Sequence, residues 1–219
     1  MKYKLVIFDL DGTLLDTIGD LAAAVEHALS LKGYKGHTID EYRTFVGHGI
    51  RNLVWQAMPD GLRDDDSLLE SCLADFMDYY FSHIDVLTRP YAGMAELVGA
   101  LDAAGVRMAV ASNKFQAGTE RLIARFFPGI KFVCVFGNRP SAPLKPDPAL
   151  IDEIINLAGV ERSEAVMVGD SATDIKAAEN GGIDSIAVSW GFRPRESLTA
   201  AGTITDSPSA LAETLGISR

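Results

Sequence analysis

The strongest constraint on the fold is a series of short, mostly apolar runs, each of strand length. Five segments share this character: Leu5–Phe8, Val106–Ser112, Phe132–Phe136, Ala165–Gly169 and Ile183–Val188. Runs that are apolar on both alternating sides predict strands buried on both faces of a sheet. Amphipathic segments of helical length, at 93–104, 117–127, 149–158 and 173–180, precede or separate the later runs. This alternation predicts an α/β fold with a doubly wound, parallel sheet.

The alternation is interrupted once, between the first and the second apolar run. The pattern there is almost wholly helical, with segments at 18–31, 39–46, 50–58 and 67–83 separated by turns that contain Gly or Pro. This stretch of about 75 residues is long enough to form a compact domain. We therefore expect a discontinuous core domain of residues 1–14 and 89–219, with an inserted α-helical cap domain of residues 15–88.

Charge and cysteine content exclude several classes of partner. The 219 residues include 30 acidic and 20 basic side chains, for a formal net charge of −10. Because this charge repels nucleic acid and anionic membranes, we expect neither as a partner. Cys72 and Cys134 do not have the spacing of a disulfide framework or a metal site. No stretch resembles a signal peptide or a membrane span, so we expect a cytoplasmic protein.

Polar residues follow the ends of three predicted strands, where doubly wound sheets bind their ligands. The first strand ends in Asp9-Leu-Asp-Gly-Thr13, and alternation along an extended chain places Asp9 and Asp11 on the same side. The second ends in Ser112-Asn-Lys114 and the fourth in Gly169-Asp-Ser-Ala-Thr-Asp174. Lys145 precedes Pro146 in the connection before the fourth strand. We expect these side chains to meet at one edge of the sheet.

Several carboxylates at one edge repel one another, so the cluster requires a cation. Carboxylate oxygens without a nearby His or Cys suit Mg²⁺, which combines one or two carboxylates with water and a substrate phosphate. A carboxylate can attack phosphorus and form an aspartyl-phosphate while a lysine offsets the charge on the phosphoryl oxygens. A second carboxyl group then serves as general acid and later as general base. The residues thus indicate Mg²⁺-dependent phosphoryl chemistry.

Four motifs, in this order, resemble those of the haloacid-dehalogenase superfamily, and the resemblance covers nearly the whole chain. It implies a Rossmann-like core with a helical cap. By position it implies Asp9 as nucleophile and metal ligand, and Asp11 as general acid and base whose backbone carbonyl binds the metal. Lys145 resembles the lysine between the nucleophile and the phosphoryl oxygens. Asp170 resembles the second side-chain metal ligand, and Asp174 an acid that holds metal-bound water or Lys145.

The same resemblance implies a phosphate-binding set. Thr13 is expected to orient Asp11, and Ser112 and Asn113 are expected to bind the phosphoryl group. Asp11 also bears on the substrate class. The carbon-attacking dehalogenases of the superfamily lack this acid, because a halide needs no proton to leave, so Asp11 favours a phosphate ester or anhydride.

A narrower resemblance is to the phosphoglycolate phosphatase group. It rests on Phe45-Val-Gly-His-Gly-Ile50, Ser112-Asn-Lys114 and Trp190-Gly-Phe-Arg-Pro-Arg-Glu196. It implies substrate-contacting residues in the cap, namely Gly47, His48, Gly49 and Arg51. The sequence departs from the group at Thr17, Ala92 and Asn180-Gly181. The favoured prediction is a Mg²⁺-dependent phosphatase that hydrolyses a small phosphorylated metabolite, 2-phosphoglycolate first, as a monomer or homodimer.

Other functions remain open from the residues alone. An inorganic pyrophosphatase carries a similar Trp-Gly-x-x-Pro-Arg segment, and a sugar-phosphate phosphatase or phosphomutase uses the same chemistry. A non-enzymatic phospho-receiver also combines acids, a Ser or Thr and a Lys, but no aspartate ends the strand at 132–136. Asp174 and Arg51 also have purely structural interpretations, as a first-turn helix acid and a solvated charge.

Overall fold

A computed structural model describes residues 2–140 and 142–217. The chain divides into two compact units. The core unit runs up to Asp16 and resumes at Pro90, and the inserted unit spans Thr17–Arg89. In chain order, the strands and α-helices are β1 (Leu5–Phe8), β2 (Leu15–Asp16), α1 (Ile18–Ser30), α2 (Ile39–Phe45), α3 (Ile50–Ala57), α4 (Asp66–His83), β3 (Arg89–Pro90), α5 (Met94–Ala103), β4 (Arg107–Phe115), α6 (Gln116–Phe126), β5 (Phe132–Asn138), α7 (Ala149–Ala158), β6 (Ala165–Gly169), α8 (Ala172–Gly181), β7 (Asp184–Val188), β8 (Thr203–Thr205) and α9 (Pro208–Leu215).

The core unit contains one six-stranded sheet in the order β5-β4-β1-β6-β7-β8. Every neighbouring pair in it is parallel. The chain starts in the interior of the sheet at β1, adds β4 and β5 on one side, and then adds β6, β7 and β8 on the other. The direction of winding therefore reverses at β1, and ligands of such sheets bind beyond the carboxyl ends of the strands at this point. The prediction of an α/β fold with a doubly wound, parallel sheet is confirmed.

Strand β1 is buried along its whole length. Leu5 and Ile7 belong to an apolar cluster with residues of α7 and α8 on one face of the sheet. Side chains alternate along a strand, so Val6 and Phe8 point to the opposite face, where they are also buried. This two-sided burial explains why the run is apolar at every position.

The inserted unit is formed by helices α1 to α4, with α1 packed against α4. Its largest buried side chains include Tyr42, Phe76 and Tyr80. Asp20 in α1 is also buried, and its carboxylate accepts hydrogen bonds from the backbone nitrogens of Leu87 and Thr88 and from the Thr88 hydroxyl, at 2.7–3.0 Å. These charge-assisted bonds tie the end of the unit to its first helix.

Polar side chains set the starts of two helices in the inserted unit. Thr38 and Glu41 form a reciprocal capping box at α2, and Asp65 accepts from the backbone nitrogen of Leu68 at α4. Across residues 2–140 and 142–217, none of the helices combines the length and the apolar character that crossing a membrane requires.

Candidate active site

The site is built at the carboxyl end of β1, where the chain makes a tight turn. The backbone nitrogen of Asp9 still donates to the Val168 carbonyl at 2.9 Å, which continues the sheet to this residue. The turn follows at Gly12, which has φ +89°. A Cβ atom there would lie 2.3 Å from Asp170 Oδ2, so only glycine brings the turn this close to the neighbouring strand end.

Lys145 is the centre of the buried charge cluster. Its ammonium donates to Asp9 Oδ1 at 2.7 Å and to Asp174 Oδ1 at 2.6 Å. Burial alone would lower the pKa of Lys145, but the negative charges of Asp174 and Asp9 outweigh it and raise that pKa. The lysine is therefore held as a cation between two carboxylates.

Asp9 and Asp170 are buried carboxyl groups with raised pKa values. Burial raises the pKa of Asp9 well above its ordinary value, and the charges of Asp174 and Asp170 add to the effect against the opposing charge of Lys145. Burial and the charge of Asp174 raise the pKa of Asp170 to about 7, although its Oδ2 accepts a hydrogen bond of 2.6 Å from the Phe192 nitrogen. In both residues burial is the largest cause of the raised pKa, and neighbouring carboxylates add to it.

The donor set fits a hard divalent cation. One carboxylate oxygen from each of Asp9, Asp170 and Asp174 lies within 4.8 Å of the others, and all three residues are buried. Within this set, Asp174 uses Oδ1 for Lys145 and Oδ2 for the nitrogen and hydroxyl of Ser171. Asp9 and Asp170 are therefore the side chains best suited to hold Mg²⁺, which combines one or two carboxylates with water.

Glycines and a backbone donor position Asp170. Gly191 lies so close that a Cβ atom on it would be 2.3 Å from Asp170 Cβ and 2.5 Å from the Gly12 carbonyl oxygen. The next residue, Phe192, donates the backbone hydrogen bond to Asp170 Oδ2. The segment after β7 thus holds Asp170 against the turn that follows β1.

The side chain of Asn113 binds the backbone of Lys145, and the phosphate-binding role expected for Asn113 stays a prediction. Its Nδ2 donates to the Lys145 carbonyl at 3.1 Å, and its Oδ1 accepts from the Lys145 nitrogen at 3.0 Å. Because both amide atoms bind this backbone, the side chain serves to position Lys145. The neighbouring Ser112 is buried at the same strand end, and its hydroxyl accepts from the Lys114 nitrogen at 3.2 Å.

Thr13 lies inside the turn that follows β1. Its side chain is fully buried, and among the residues that the structure describes none, Asp11 included, forms a hydrogen bond with Oγ1. The physical reason is the tight turn, in which the backbone nitrogens of Thr13, Leu14 and Leu15 all donate to the Leu10 carbonyl and fold Thr13 inward. The Thr13 carbonyl instead accepts from Trp190 Nε1 at 3.2 Å.

Lys114 was expected at this edge of the sheet, but the sequence prediction gave it no role in the site. It is buried, and its ammonium lies 3.2 and 3.3 Å from the two carboxylate oxygens of Asp11. A signal was available in the sequence, because Lys114 directly follows two predicted site residues. Strand β4 extends to Phe115 rather than to Ser112, which carries Lys114 into the sheet edge.

The predicted cap residues lie in the inserted unit. Gly47, His48 and Gly49 connect α2 to α3, and Gly49 precedes α3 with φ +82°. Arg51 is exposed, donates a hydrogen bond to Glu70, and lies 3.7 Å from an oxygen of Asp66. Its guanidinium is therefore paired with acids of α4 in this structure.

Comparison with known proteins identifies the family. The sequence matches the family described as haloacid dehalogenase-like hydrolase over residues 6–188. The chain belongs to this family. A phosphoglycolate phosphatase of Mesorhizobium japonicum is 36% identical over 196 residues, which cover 89% of this chain and 86% of the relative. A phosphoglycolate phosphatase of Vibrio parahaemolyticus is 32% identical over 221 residues, which cover 98% of this chain and 97% of the relative.

Solved structures agree with this family assignment. A crystal structure from Lactobacillus delbrueckii subsp. bulgaricus, of a protein provisionally assigned as a phosphoglycolate phosphatase, has a TM-score of 0.90 and 32% identity and covers 98% of this chain and 99% of that one. The resemblance to the haloacid-dehalogenase superfamily and its phosphoglycolate phosphatase group is confirmed, as is the prediction of a phosphatase.

Proposed function

We propose that this protein is a Mg²⁺-dependent phosphatase that hydrolyses a small phosphomonoester, with 2-phosphoglycolate as the favoured substrate. The observation that carries the proposal is the pairing of Lys145 with both Asp9, at 2.7 Å, and Asp174, at 2.6 Å, in a buried acidic cluster. This arrangement offers a carboxylate nucleophile beside a fixed cation. The relatives named phosphoglycolate phosphatase support the choice of substrate.

The proposed reaction has two steps, each with balanced protons. Asp9 attacks the phosphorus, the bond to the leaving oxygen breaks, and Asp11 donates a proton to that oxygen. Asp11 then takes a proton from a water molecule, which attacks the phosphorus of the aspartyl-phosphate. Phosphate leaves and the Asp9 carboxylate is restored.

Lys145 has the electrostatic role in both steps. Asp174 holds its ammonium and Asn113 holds its backbone, so that the ammonium is preorganised to offset negative charge on the phosphoryl oxygens. The side chains of Asp9 and Asp170, with the Asp11 carbonyl, are the proposed ligands of Mg²⁺. When bound, this ion would neutralise charge on the phosphoryl group and on the acidic cluster.

The inserted unit is proposed as the cap that selects the leaving group and excludes water during the reaction. The candidate residues for substrate contact are Gly47, His48, Gly49 and Arg51. For Arg51, this role requires the exposed guanidinium to exchange Glu70 for an anionic group of the substrate.

The deciding experiment is a comparison of kcat/KM for phosphoglycolate, pyrophosphate, sugar phosphates and nucleoside monophosphates, with Mg²⁺ and with a chelator. We expect the highest kcat/KM for phosphoglycolate, and we expect the activity to require Mg²⁺. An Asp9→Asn variant should retain the fold and lose turnover. Wild-type enzyme quenched with acid during turnover should carry phosphate on Asp9. A higher kcat/KM for pyrophosphate, or an isomerised sugar phosphate as product, would favour the corresponding alternative enzyme.

A further inference from the structure

Lys114, which is buried, and Asp11, which is partly buried, form a second ion pair at the sheet edge. The Lys114 ammonium lies 3.2 Å from Oδ1 and 3.3 Å from Oδ2 of Asp11, and 5% of the residue is exposed. Keeping an ammonium in such surroundings is unfavourable without a partner of opposite charge. The proposed function gives Asp11 the task of protonating the leaving oxygen, which places Lys114 on the leaving-group side of the substrate.

The two buried lysines of the site thus have different partners. Lys145 donates to Asp9 and Asp174, the acids assigned to the phosphoryl side. Lys114 donates to Asp11, the acid assigned to the leaving oxygen. A cation beside the leaving group can bind the carboxylate of an anionic alcohol, and an uncharged alcohol offers no such contact.

The distances allow this contact. A general acid reaches the leaving oxygen at about 2.6–3.2 Å. In a glycolate leaving group, the carboxylate carbon is two covalent bonds from that oxygen, so a carboxylate oxygen lies roughly 3 Å from it. With Lys114 Nζ 3.2 Å from Asp11, the carboxylate can come within hydrogen-bond distance of the ammonium. An ammonium has three donors and can bind Asp11 and a substrate carboxylate together.

We propose that Lys114 is a specificity-determining residue that binds the carboxylate of the leaving group and thereby selects phosphoglycolate over uncharged phosphate esters. This inference rests on the proposed function. Its chemistry is recognition of an anion, and the terminal phosphate of pyrophosphate presents the same kind of charge. The test therefore includes both anions and an ester with neither.

The experiment measures kcat and KM of the wild-type enzyme and of Lys114→Met with phosphoglycolate, pyrophosphate and ethyl phosphate. Methionine keeps the length and apolar stem and removes the charge. Lys114→Met is expected to reduce the preference for phosphoglycolate over ethyl phosphate by about 10–100-fold, the range for a charge-assisted hydrogen bond. Lys114→Arg should retain part of the preference. Lys131→Met, at an exposed lysine, is the matched control and should retain all of it.

The outcomes distinguish three roles of Lys114: binding the substrate carboxylate, positioning Asp11, and binding a phosphate. Equal losses with phosphoglycolate and ethyl phosphate would show that Lys114 only positions Asp11, and would overturn the proposal. A preference for pyrophosphate that Lys114→Met abolishes would refute phosphoglycolate as substrate and assign Lys114 to a phosphate. A wild-type enzyme without preference for either anion would refute the proposal for Lys114 whatever its substrate. Lys114→Gln repeats the comparison if the methionine variant does not fold.

Discussion

Asn113 binds the backbone of Lys145 through both polar atoms of its side-chain amide, at 3.1 and 3.0 Å. Asn113 lies in β4, and Lys145 lies in the loop before α7. This double hydrogen bond connects a strand end to the residue that carries the central positive charge of the site. The double hydrogen bond holds the loop backbone at Lys145. The ammonium at the end of the side chain is held separately, by Asp9 and Asp174.

Asn113→Ala should reduce kcat by about 10–100-fold with a smaller change in KM, because a misplaced Lys145 no longer meets the charge that develops on the phosphoryl group. Steady-state kinetics with phosphoglycolate and Mg²⁺ measures this. Asn180→Ala is the matched control, since Asn180 is exposed and its Nδ2 donates to the adjacent Pro146 carbonyl at 2.8 Å. Equal effects of the two substitutions would contradict a specific role for Asn113.

Lys145→Met should abolish activity and also destabilise the protein. It leaves Asp9 and Asp174 buried without their cation, and breaking a buried pair in this way costs about 3–5 kcal/mol. Burial raises the pKa of Asp9 and the charge of Lys145 opposes this rise, so in the variant protonation of Asp9 at lower pH relieves part of the cost. The loss in the free energy of unfolding should therefore be smaller at pH 5 than at pH 8. Urea unfolding at the two pH values measures the difference, and a pH-independent loss would contradict the cause given.

The metal-free protein should lose stability as the pH rises toward neutrality. Burial raises the pKa of Asp170 from 3.8 to about 7, so its contribution to stability is fully present below pH 3.8 and is lost as the pH rises to about 7. Between pH 5.5 and 8 the loss is about 2 kcal/mol, or roughly 4–8 °C in Tm. Thermal unfolding with a chelator tests this directly.

Mg²⁺ should reverse this loss, with a larger rise in Tm at pH 8 than at pH 5.5, because protons compete with the cation for Asp170. Asp170→Asn is the control and should weaken both the pH dependence and the response to Mg²⁺. A Tm that responds equally to Mg²⁺ at both pH values would argue against Asp170 as a ligand.

Gly191→Ala should reduce activity strongly. The new methyl group would lie 2.3 Å from Asp170 Cβ and 2.5 Å from the Gly12 carbonyl oxygen, so the backbone or Asp170 must shift. A displacement of about 1 Å at a catalytic group can lower the rate about 100-fold. Gly99→Ala is the matched control, because Gly99 is within α5 and a Cβ there meets nothing within 4 Å. That substitution should retain activity and stabilise the protein by roughly 0.5–1 kcal/mol. Comparable kcat/KM values for the two variants would contradict the prediction.

The positions of the strands and of most site residues could be predicted from the sequence. Buried strands are apolar throughout, and the polar residues that end them are conspicuous for that reason. Asp9, Lys145, Asp170 and Asp174 do come together in one buried cluster. Strand β8, Thr203–Thr205, was missed because three residues have no pattern of their own and are defined by pairing with β7.

Roles that depend on side-chain direction could not be predicted. Thr13 was expected to orient Asp11 and Asn113 to bind the phosphoryl group; the structure shows the Thr13 side chain folded inward by the turn and the Asn113 side chain bound to the Lys145 backbone. Lys114 was expected at the sheet edge without a role, and the structure pairs it with Asp11. In each case the sequence shows the residue type. The hydrogen-bond or ion-pair partner of the side chain cannot be read from it, because that partner lies in another part of the chain or depends on the turn geometry.

The sequence by itself determined the parallel sheet, the helical insertion and the acidic strand ends, because these depend on local periodicity and residue type. Only the tertiary structure decided which charges pair: Lys145 with Asp9, 136 positions away, and Lys114 with Asp11, 103 positions away. Such pairs form because parallel strands bring their carboxyl ends to one edge of the sheet. The sheet register and the turn at Gly12 then decide which atoms meet there.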